Sequence, residues 1–359
     1  MKIRDIRDEE NSDNDHPALR VKDSVNFGKV RSWLLRCECL QHPRVEGLPV
    51  KLRLIDVRRR CLVLHVPQNA RYVALSYTWG KLQRNFLRAL TSNVGGLTVQ
   101  GSISPEDHLL PRTIRDAMVV VHNIGGQYLW VDSLCILQND ENDKAEQIDA
   151  MASIYVSAAF TIVAAAGHDA DAGLPGVLET PREKGQHSEA VQGLRLVNQL
   201  RSAREVLDAS WWNSRGWTYQ ERVLSKSMLI FSASQVYFKC PHQLTCEDIV
   251  SNGGFYEPNH PDSVSFMSDS VSFYNYQLAV ANYTTRNLSS DFDGLRAFLG
   301  VADLLGSLLC SGFVFGLPES YFDMALLWHP KSDLRRRVNE GSNEPLFPSW
   351  AWAGWSGQI

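Results

Sequence analysis

The stretch Tyr72-Val-Ala-Leu-Ser-Tyr-Thr-Trp-Gly80 decides the fold class of this 359-residue chain. The run Tyr72 to Tyr77 carries no charge, and the tryptophan and glycine that follow mark the start of a loop. An uncharged run of this length predicts a strand that is covered on both faces, as in a parallel sheet. Further strands are predicted at residues 128–136 (YLWVDSLCI), 160–166, 228–232 and 235–240.

Helical patterns separate these strands. From Ile114 to Ile124 apolar residues recur at spacings of three and four, after Leu110-Pro111 and before Gly125-Gly126, which predicts an amphipathic helix. Further helices are predicted at 142–155 and at 214–224. Strands that alternate with helices predict an α/β protein with a parallel sheet flanked by helices.

The chain is predicted to have four parts. Residues 1–26 are polar and predict a mobile tail, and residues 27–70 predict a helix and an N-terminal β-hairpin as a lead-in. Residues 71–240 form the core, and residues 241–359 form a helical, Trp-rich extension that we expect to pack on it. Within the core we expect a small hairpin near Leu97 and a long loop at 167–192.

The composition excludes several classes of protein. Hydrophobic residues make up 44% of the chain, which is the apolar content that disordered chains lack. The net charge is −4, with 36 basic against 40 acidic residues, so there is no electrostatic case for nucleic-acid binding. Neither a Gly-x-Gly-x-x-Gly after a strand nor a P-loop motif occurs, which leaves a Rossmann or P-loop nucleotide site poorly supported.

The cysteines and the termini favour a cytoplasmic protein. The seven cysteines form no Cys-x-x-Cys pair, so reduced thiols are the favoured interpretation. Residues 1–16 are charged and carry no apolar segment of a secretory signal. The longest apolar stretch, 298–317, contains Asp303 and several glycines, so we predict a buried helix and turn there and no membrane span.

Two groups of residues have side chains that bind metals, but neither has the spacing of a common zinc site. The first is Cys37, Cys39 and His42, which lacks a clear fourth ligand. The second is Cys240, His242 and Cys246. We therefore predict structural thiols, no metal and no cofactor.

The carboxyl ends of the first two strands carry candidate binding residues, because open parallel sheets bind ligands outside those ends. They are Ser76, Tyr77 and Trp79 on the first strand and Asp132 on the second. A carboxylate within an apolar strand is costly unless it is paired or functional. Asp132 therefore either contacts a ligand or accepts hydrogen bonds from a nearby loop.

The segment from Trp211 to Arg222 is the densest polar and aromatic stretch. If it is helical, Trp217 and Glu221 share a face and could hold a flat or sugar-bearing ligand. The alternative is that Glu221 pairs with Arg222 or Arg215 and that Trp217 belongs to the core.

Three blocks in this order resemble the fungal heterokaryon incompatibility (HET) domain. They are Tyr72 to Gly80, then Leu110-Pro-Arg-Thr-Ile-Arg-Asp-Ala117 continuing through Tyr128 to Ile136 and on to Ala158, and finally Arg215-Gly-Trp-Thr-Tyr-Gln-Glu-Arg-Val-Leu224. HET domains are in turn regarded as remote relatives of Toll/interleukin receptor (TIR) domains, which implies a flavodoxin-like, TIR-like fold with a parallel sheet flanked by helices. Residues 214–221 are similar to the TIR serine–tryptophan–glutamate box.

The resemblance implies a role in fungal non-self recognition and regulated cell death. In enzymatic TIR domains the glutamate of the box belongs to the site that cleaves NAD, so the resemblance gives that catalytic role to Glu221. Trp217 and Arg215 are then substrate-binding residues, together with those at the strand ends. NAD is a substrate in this interpretation and not a cofactor.

The chemistry is reasonable on physical grounds. Cleavage of the nicotinamide–ribose bond develops positive charge on the ribose, and one carboxylate near the sugar stabilises it. Two alternatives stay open. The chain is either a non-enzymatic module that self-associates as TIR domains do and works with an upstream sensor protein, or a HET-like enzyme of secondary metabolism.

Overall fold

The computed structural model describes residues 3–5, 19–37, 40, 51–81, 85–192, 194–249 and 271–359. The chain divides into two compact units. The first unit comprises Met1–Ala150, Ile154–Trp212 and Ser225–Glu257, and the second comprises Met151–Ser153, Asn213–Leu224 and Pro258–Ile359.

The strands of the first unit are β1 (Ile3–Asp5), β2 (Leu54–Asp56), β3 (Cys61–Val63), β4 (Tyr72–Ser76), β5 (Tyr128–Trp130), β6 (Thr161–Ala164), β7 (Ser188–Val191), β8 (Leu194–Asn198), β9 (Met228–Phe231), β10 (Val236–Lys239) and β11 (Leu244–Cys246). Its helices are α1 (Phe27–Arg36), α2 (Val94–Leu97), α3 (Arg112–Asn123), α4 (Asp132–Cys135), α5 (Glu141–Asp149), most of α6 (Met151–Ser157), and α7 (Ala203–Asp208).

An eight-stranded sheet in the order β11-β10-β9-β6-β4-β5-β2-β3 forms the centre of the first unit. The strands β5, β4, β6 and β9 run parallel to one another, and antiparallel strands complete the sheet at both sides. The chain is therefore an α/β protein, and the predicted hairpin is present as the antiparallel pair β2 and β3.

The central strands are buried for the reason that their sequence indicates. Every residue of β4, β6 and β9 is buried, so neither face of the sheet tolerates a charge there. The hydroxyl of Tyr72, at the start of β4, is buried but has a partner: it donates a hydrogen bond of 2.6 Å to the carbonyl oxygen of Ile154. The helix α3 buries Ile114, Ala117 and Val121, as its apolar spacing predicts.

Three local predictions differ from the structure. The second strand ends at Trp130, and the short helix α4 follows because the carbonyl of Val131 accepts from the N–H groups of Leu134 and Cys135. The short helix α2 replaces the hairpin expected near Leu97. The helix expected at 142–155 is divided at Ala150 into α5 and α6.

Other strands were not anticipated. A three-stranded antiparallel sheet has the order β1-β8-β7. Its strand β1 lies within residues 1–26, which were expected to be a tail, and it pairs with β8. The loop expected at 167–192 therefore ends in a strand. The pairing of β1 with β8 links residues that are far apart in sequence, so no local pattern indicates it.

The second unit contains the helices α8 (Thr218–Leu224), α9 (Phe273–Thr284), α10 (Asp293–Leu309) and α11 (Phe322–Ala325), with the short strands β12 (Phe313–Val314), β13 (Leu317–Pro318), β14 (Arg335–Arg336) and β15 (Trp355–Ser356). Aromatic rings pack against one another in its core: the ring centroid of Phe298 lies 5.2 Å from those of Tyr283 and Trp352. The region after residue 271 is thus helical and Trp-rich, as predicted. Of the helices that the structure describes, none combines the length and apolar character needed to span a bilayer.

Candidate functional site

Trp79 and Asp132 lie together at the carboxyl ends of β4 and β5. The indole Nε1 of Trp79 donates a hydrogen bond of 2.8 Å to Asp132 Oδ2, and the backbone N–H of Ser133 donates one of 2.7 Å to Oδ1. Both side chains are half-buried. Asp132 is the first residue of α4 and not part of a strand, so its carboxylate stabilises the positive end of a short helix as well as the loop.

Ser76 and Tyr77 are buried within the first unit. Ser76 Oγ accepts a hydrogen bond of 2.6 Å from Nε1 of Trp212, and the Tyr77 hydroxyl bonds Ser133 Oγ at 3.0 Å. Their exposed fractions are 1% and 4%. These two hydroxyls thus connect the end of β4 to neighbouring segments, whereas Trp79 is the residue of this group that reaches the surface.

The other predicted site residues, Arg215, Trp217 and Glu221, belong to the second unit. Glu221 lies on α8 and is 7% exposed, while Trp217 precedes that helix and is half-buried. The indole Nε1 of Trp217 donates to Asp293 Oδ2 at 3.1 Å. The carbonyl of Arg215 accepts hydrogen bonds from the side chains of Thr218 and Arg286.

Two arginines, Arg222 on the helix that carries Glu221 and Arg286 after α9, share one acceptor. Asn213 Oδ1 accepts from Arg222 at 2.8 Å and from Arg286 at 2.6 Å. The guanidinium of Arg286 also lies 4.9 Å from the ring centroid of Tyr219. Burial raises the pKa of Tyr219, and the two arginines oppose that rise. Glu221 therefore sits in a segment with a concentration of positive charge.

The same helix carries two buried polar atoms that lack a hydrogen-bond partner among the described residues. They are the Tyr219 hydroxyl and Gln220 Nε2. Both side chains are almost fully buried, at 3% and 2% exposure. Unsatisfied buried polar atoms are uncommon in folded proteins, so each calls for an explanation such as a catalytic role or a bound water or ion.

Two aromatic residues near the first group were not assigned to a site from the sequence. His168 follows β6 and is exposed, and Trp211 is 51% exposed. Their ring centroids are 5.8 Å apart with an interplanar angle of 50°. Trp211 begins the polar and aromatic segment that runs to Arg222, but only the fold brings His168 next to it.

The described residues contain no group of three or more His, Cys, Asp or Glu side chains that could hold a metal ion. Cys39 and His42 of the first candidate group lie outside the described residues. Burial raises the pKa of the Cys135 thiol to about 12, so this thiol stays protonated at neutral pH and is a poor nucleophile.

Comparison with known proteins agrees with the blocks quoted above. The family model described as "Heterokaryon incompatibility protein (HET)" matches residues 72–221. No curated protein and no solved structure matches the chain. The matched region starts with β4 and ends at Glu221, so it includes the parallel strands up to β6, the Trp79–Asp132 pair and the first turn of α8. Residues 72–221 are therefore identified as a heterokaryon incompatibility (HET) domain.

Proposed function

We propose that this protein is an effector of fungal non-self recognition and regulated cell death that acts in the cytoplasm. The HET domain at residues 72–221 supports the role in incompatibility. The net charge of −4, with 36 basic against 40 acidic residues, gives no electrostatic support for nucleic-acid binding. The remote TIR likeness is part of this proposal.

The proposed chemistry is hydrolysis of the nicotinamide–ribose bond of NAD, with Glu221 as the key carboxylate. The observation that carries it is that the helix of Glu221 also holds two buried polar atoms, the Tyr219 hydroxyl and Gln220 Nε2, that have no hydrogen-bond partner among the described residues. A bound ligand can complete the hydrogen bonding of such atoms, and the buried carboxyl of Glu221 lies on the same helix. In the reaction the carboxylate stabilises the positive charge that develops on the ribose, while nicotinamide leaves as a neutral molecule.

The remaining predicted residues have binding roles in the proposal. In the first unit, Trp79 offers a ring and Asp132 offers carboxylate lone pairs to a sugar-bearing ligand of that unit. In the second unit, Arg215 and Trp217 serve the pyrophosphate and a flat base. Ser76 and Tyr77 are buried, so their contribution to binding is to hold the end of β4 in place.

The test compares the wild type with Glu221→Gln and with the matched control Glu340→Gln, which changes an exposed glutamate of the same unit. Purified proteins are incubated with NAD at several concentrations, and nicotinamide release is followed beside the melting temperature. We expect Glu221→Gln to slow release by about a hundredfold, as loss of a charge-stabilising group does, and Glu340→Gln to leave it unchanged.

Absence of nicotinamide release by the wild type, also when it self-assembles, would exclude the hydrolytic mechanism. A large drop in melting temperature for Glu221→Gln with normal release would show that the carboxylate only supports the fold.

The low exposure of Glu221 favours a second candidate function, a non-enzymatic module that self-associates and transmits death through partners such as an upstream sensor. In that case Glu221 is a structural residue of α8. Light scattering and a cell-death assay in a fungal host distinguish the module from the enzyme. If the protein is a non-enzymatic module, Glu221→Gln keeps the death response, whereas in the enzymatic case it abolishes the response.

A further inference from the structure

The strand order of the central sheet defines one point at which consecutive connections diverge. The chain runs from β4 to β5 on one side of β4 and then to β6 on its other side. The carboxyl ends of β4 and β6 are therefore adjacent, and the loops that leave them go to opposite sides. In open α/β sheets ligands bind outside the strands at this topological switch point.

The loops after β4 and β6 meet closely at that point. The backbone N–H of Ala170 donates to the carbonyl of Trp79 at 3.2 Å. Gly80 has a φ of +65°, and a Cβ built there would lie 2.3 Å from Cβ of Asp169. The contact leaves no room for a side chain at residue 80, so the loop that carries Trp79 and the loop that carries His168 touch each other there.

His168, on the loop after β6, forms an exposed ring pair with Trp211. The centroids are 5.8 Å apart, and the indole of Trp211 is 51% exposed. The neighbouring Trp212 is fully buried and is bonded to Ser76 at the end of β4, which fixes the backbone that presents Trp211. The exposed half of this indole, on a fixed backbone, presents a flat surface on which a planar ligand can stack.

We infer that His168 and Trp211 form a base-binding site that takes the purine ring of an adenine nucleotide. Indole is the side chain with the largest flat surface, and stacking on it accepts any planar base. The imidazole of His168 supplies a second ring and a polar nitrogen near the edge of the base. The choice of adenine rests on the proposed function, because NAD carries an adenine ring, whereas the site itself is argued from the topology and the two rings.

Binding of AMP tests the inference without any catalysis. Isothermal titration of the full chain with AMP is compared with titration of ribose 5-phosphate, which has the sugar and phosphate but lacks the base. We expect AMP to bind at least tenfold more tightly. Trp211→Ala and His168→Ala should each weaken AMP binding, with a loss of about tenfold for the tryptophan, while Trp211→Phe keeps most of the affinity.

The control is Tyr274→Ala, which removes an exposed ring (58% exposed) from α9 in the other unit and should not change AMP binding. Equal affinity of the wild type and Trp211→Ala for AMP, or no difference between AMP and ribose 5-phosphate, would overturn the inference. AMP binding that depends on Trp211 in a protein that releases no nicotinamide would support this site while the hydrolytic proposal fails. Nicotinamide release with AMP binding that is insensitive to both rings would do the reverse.

Discussion

Nε1 of Trp79 donates a 2.8 Å hydrogen bond to Oδ2 of Asp132, and this bond joins the loop after β4 to the first residue of α4. The other oxygen of the same carboxylate accepts from the N–H of Ser133. Asp132 thus has a structural role whether or not it binds a ligand. The two interpretations of this residue are compatible, because each carboxylate oxygen has two lone pairs and both side chains are only half-buried.

Asp132→Ala should impair function in a protein that still folds. It removes the acceptor for Trp79 and for the Ser133 N–H, which costs about 1–3 kcal/mol of unfolding free energy. Trp79→Phe is the matched variant, since it removes only the indole donor and keeps a ring. We expect nicotinamide release to fall strongly in Asp132→Ala, while the melting temperatures of both variants fall only slightly. Full activity in a folded Asp132→Ala protein would reduce the residue to a loop cap.

Ser76 and Trp212 should be energetically coupled. Their 2.6 Å hydrogen bond is buried, and removal of either partner leaves the other without it. A double-mutant cycle with Ser76→Ala and Trp212→Phe, measured by urea unfolding, should give a coupling energy of about 1 kcal/mol. Additive effects of the two substitutions would show that the bond does not contribute to stability.

Gly80→Ala should destabilise the first unit more than Gly101→Ala. Both glycines have positive φ, +65° and +84°, so each alanine carries the strain of a left-handed backbone, about 1–2 kcal/mol. A Cβ at residue 80 also meets Asp169 at 2.3 Å, whereas nothing lies within 4 Å of a Cβ at residue 101. We expect Gly80→Ala to lose at least twice the unfolding free energy of the control. Equal losses in calorimetry would contradict the close loop contact.

Asp116 should make stability fall as the pH rises from acid. It is fully buried on α3; its Oδ2 accepts from Leu174 N at 2.9 Å and Thr180 Oγ1 at 2.6 Å. Burial raises the pKa of this carboxyl above its ordinary 3.8, although the hydrogen bonds and two arginines oppose the rise. The folded state therefore keeps a proton that the unfolded chain releases, so unfolding free energy decreases with pH between the unfolded and folded pKa values.

Asp116→Asn should remove this pH dependence. The amide oxygen still accepts both hydrogen bonds, so the variant should equal or exceed the wild type in stability at pH 7 and lose its advantage near about pH 4. Asp116→Ala should lose about 2 kcal/mol at both pH values, because two buried donors lose their acceptor. Urea unfolding at the two pH values measures all three proteins; identical pH dependence of wild type and Asp116→Asn would refute the assignment.

The specific activity should rise with protein concentration if the active form is an assembly, as the proposed TIR likeness implies. Nicotinamide release per mole of chain is then measured over a wide concentration range beside the molecular mass from light scattering. We expect the two to increase together. A strictly monomeric protein with full specific activity would exclude the assembly.

Several elements could be predicted because their cause is local. An uncharged run such as Tyr72–Ser76 has one stable use in a folded chain, a strand that is covered on both faces. The spacing of apolar residues in α3 likewise records which side faces the core. The strand at 128–136 was predicted too long because its residues are apolar beyond Trp130, whereas backbone hydrogen bonds from Val131 turn the chain into α4.

The sequence by itself determined the α/β class, the HET blocks and the polar residues at the strand ends, since each of these depends on residues close together in the chain. Only the tertiary structure decided the order of the strands, the pairing of β1 with β8 and the meeting of His168 with Trp211. The physical reason is that such contacts are chosen by long-range packing. The apolar pattern of a strand predicts that the strand is buried, but it does not indicate which distant segment packs against it.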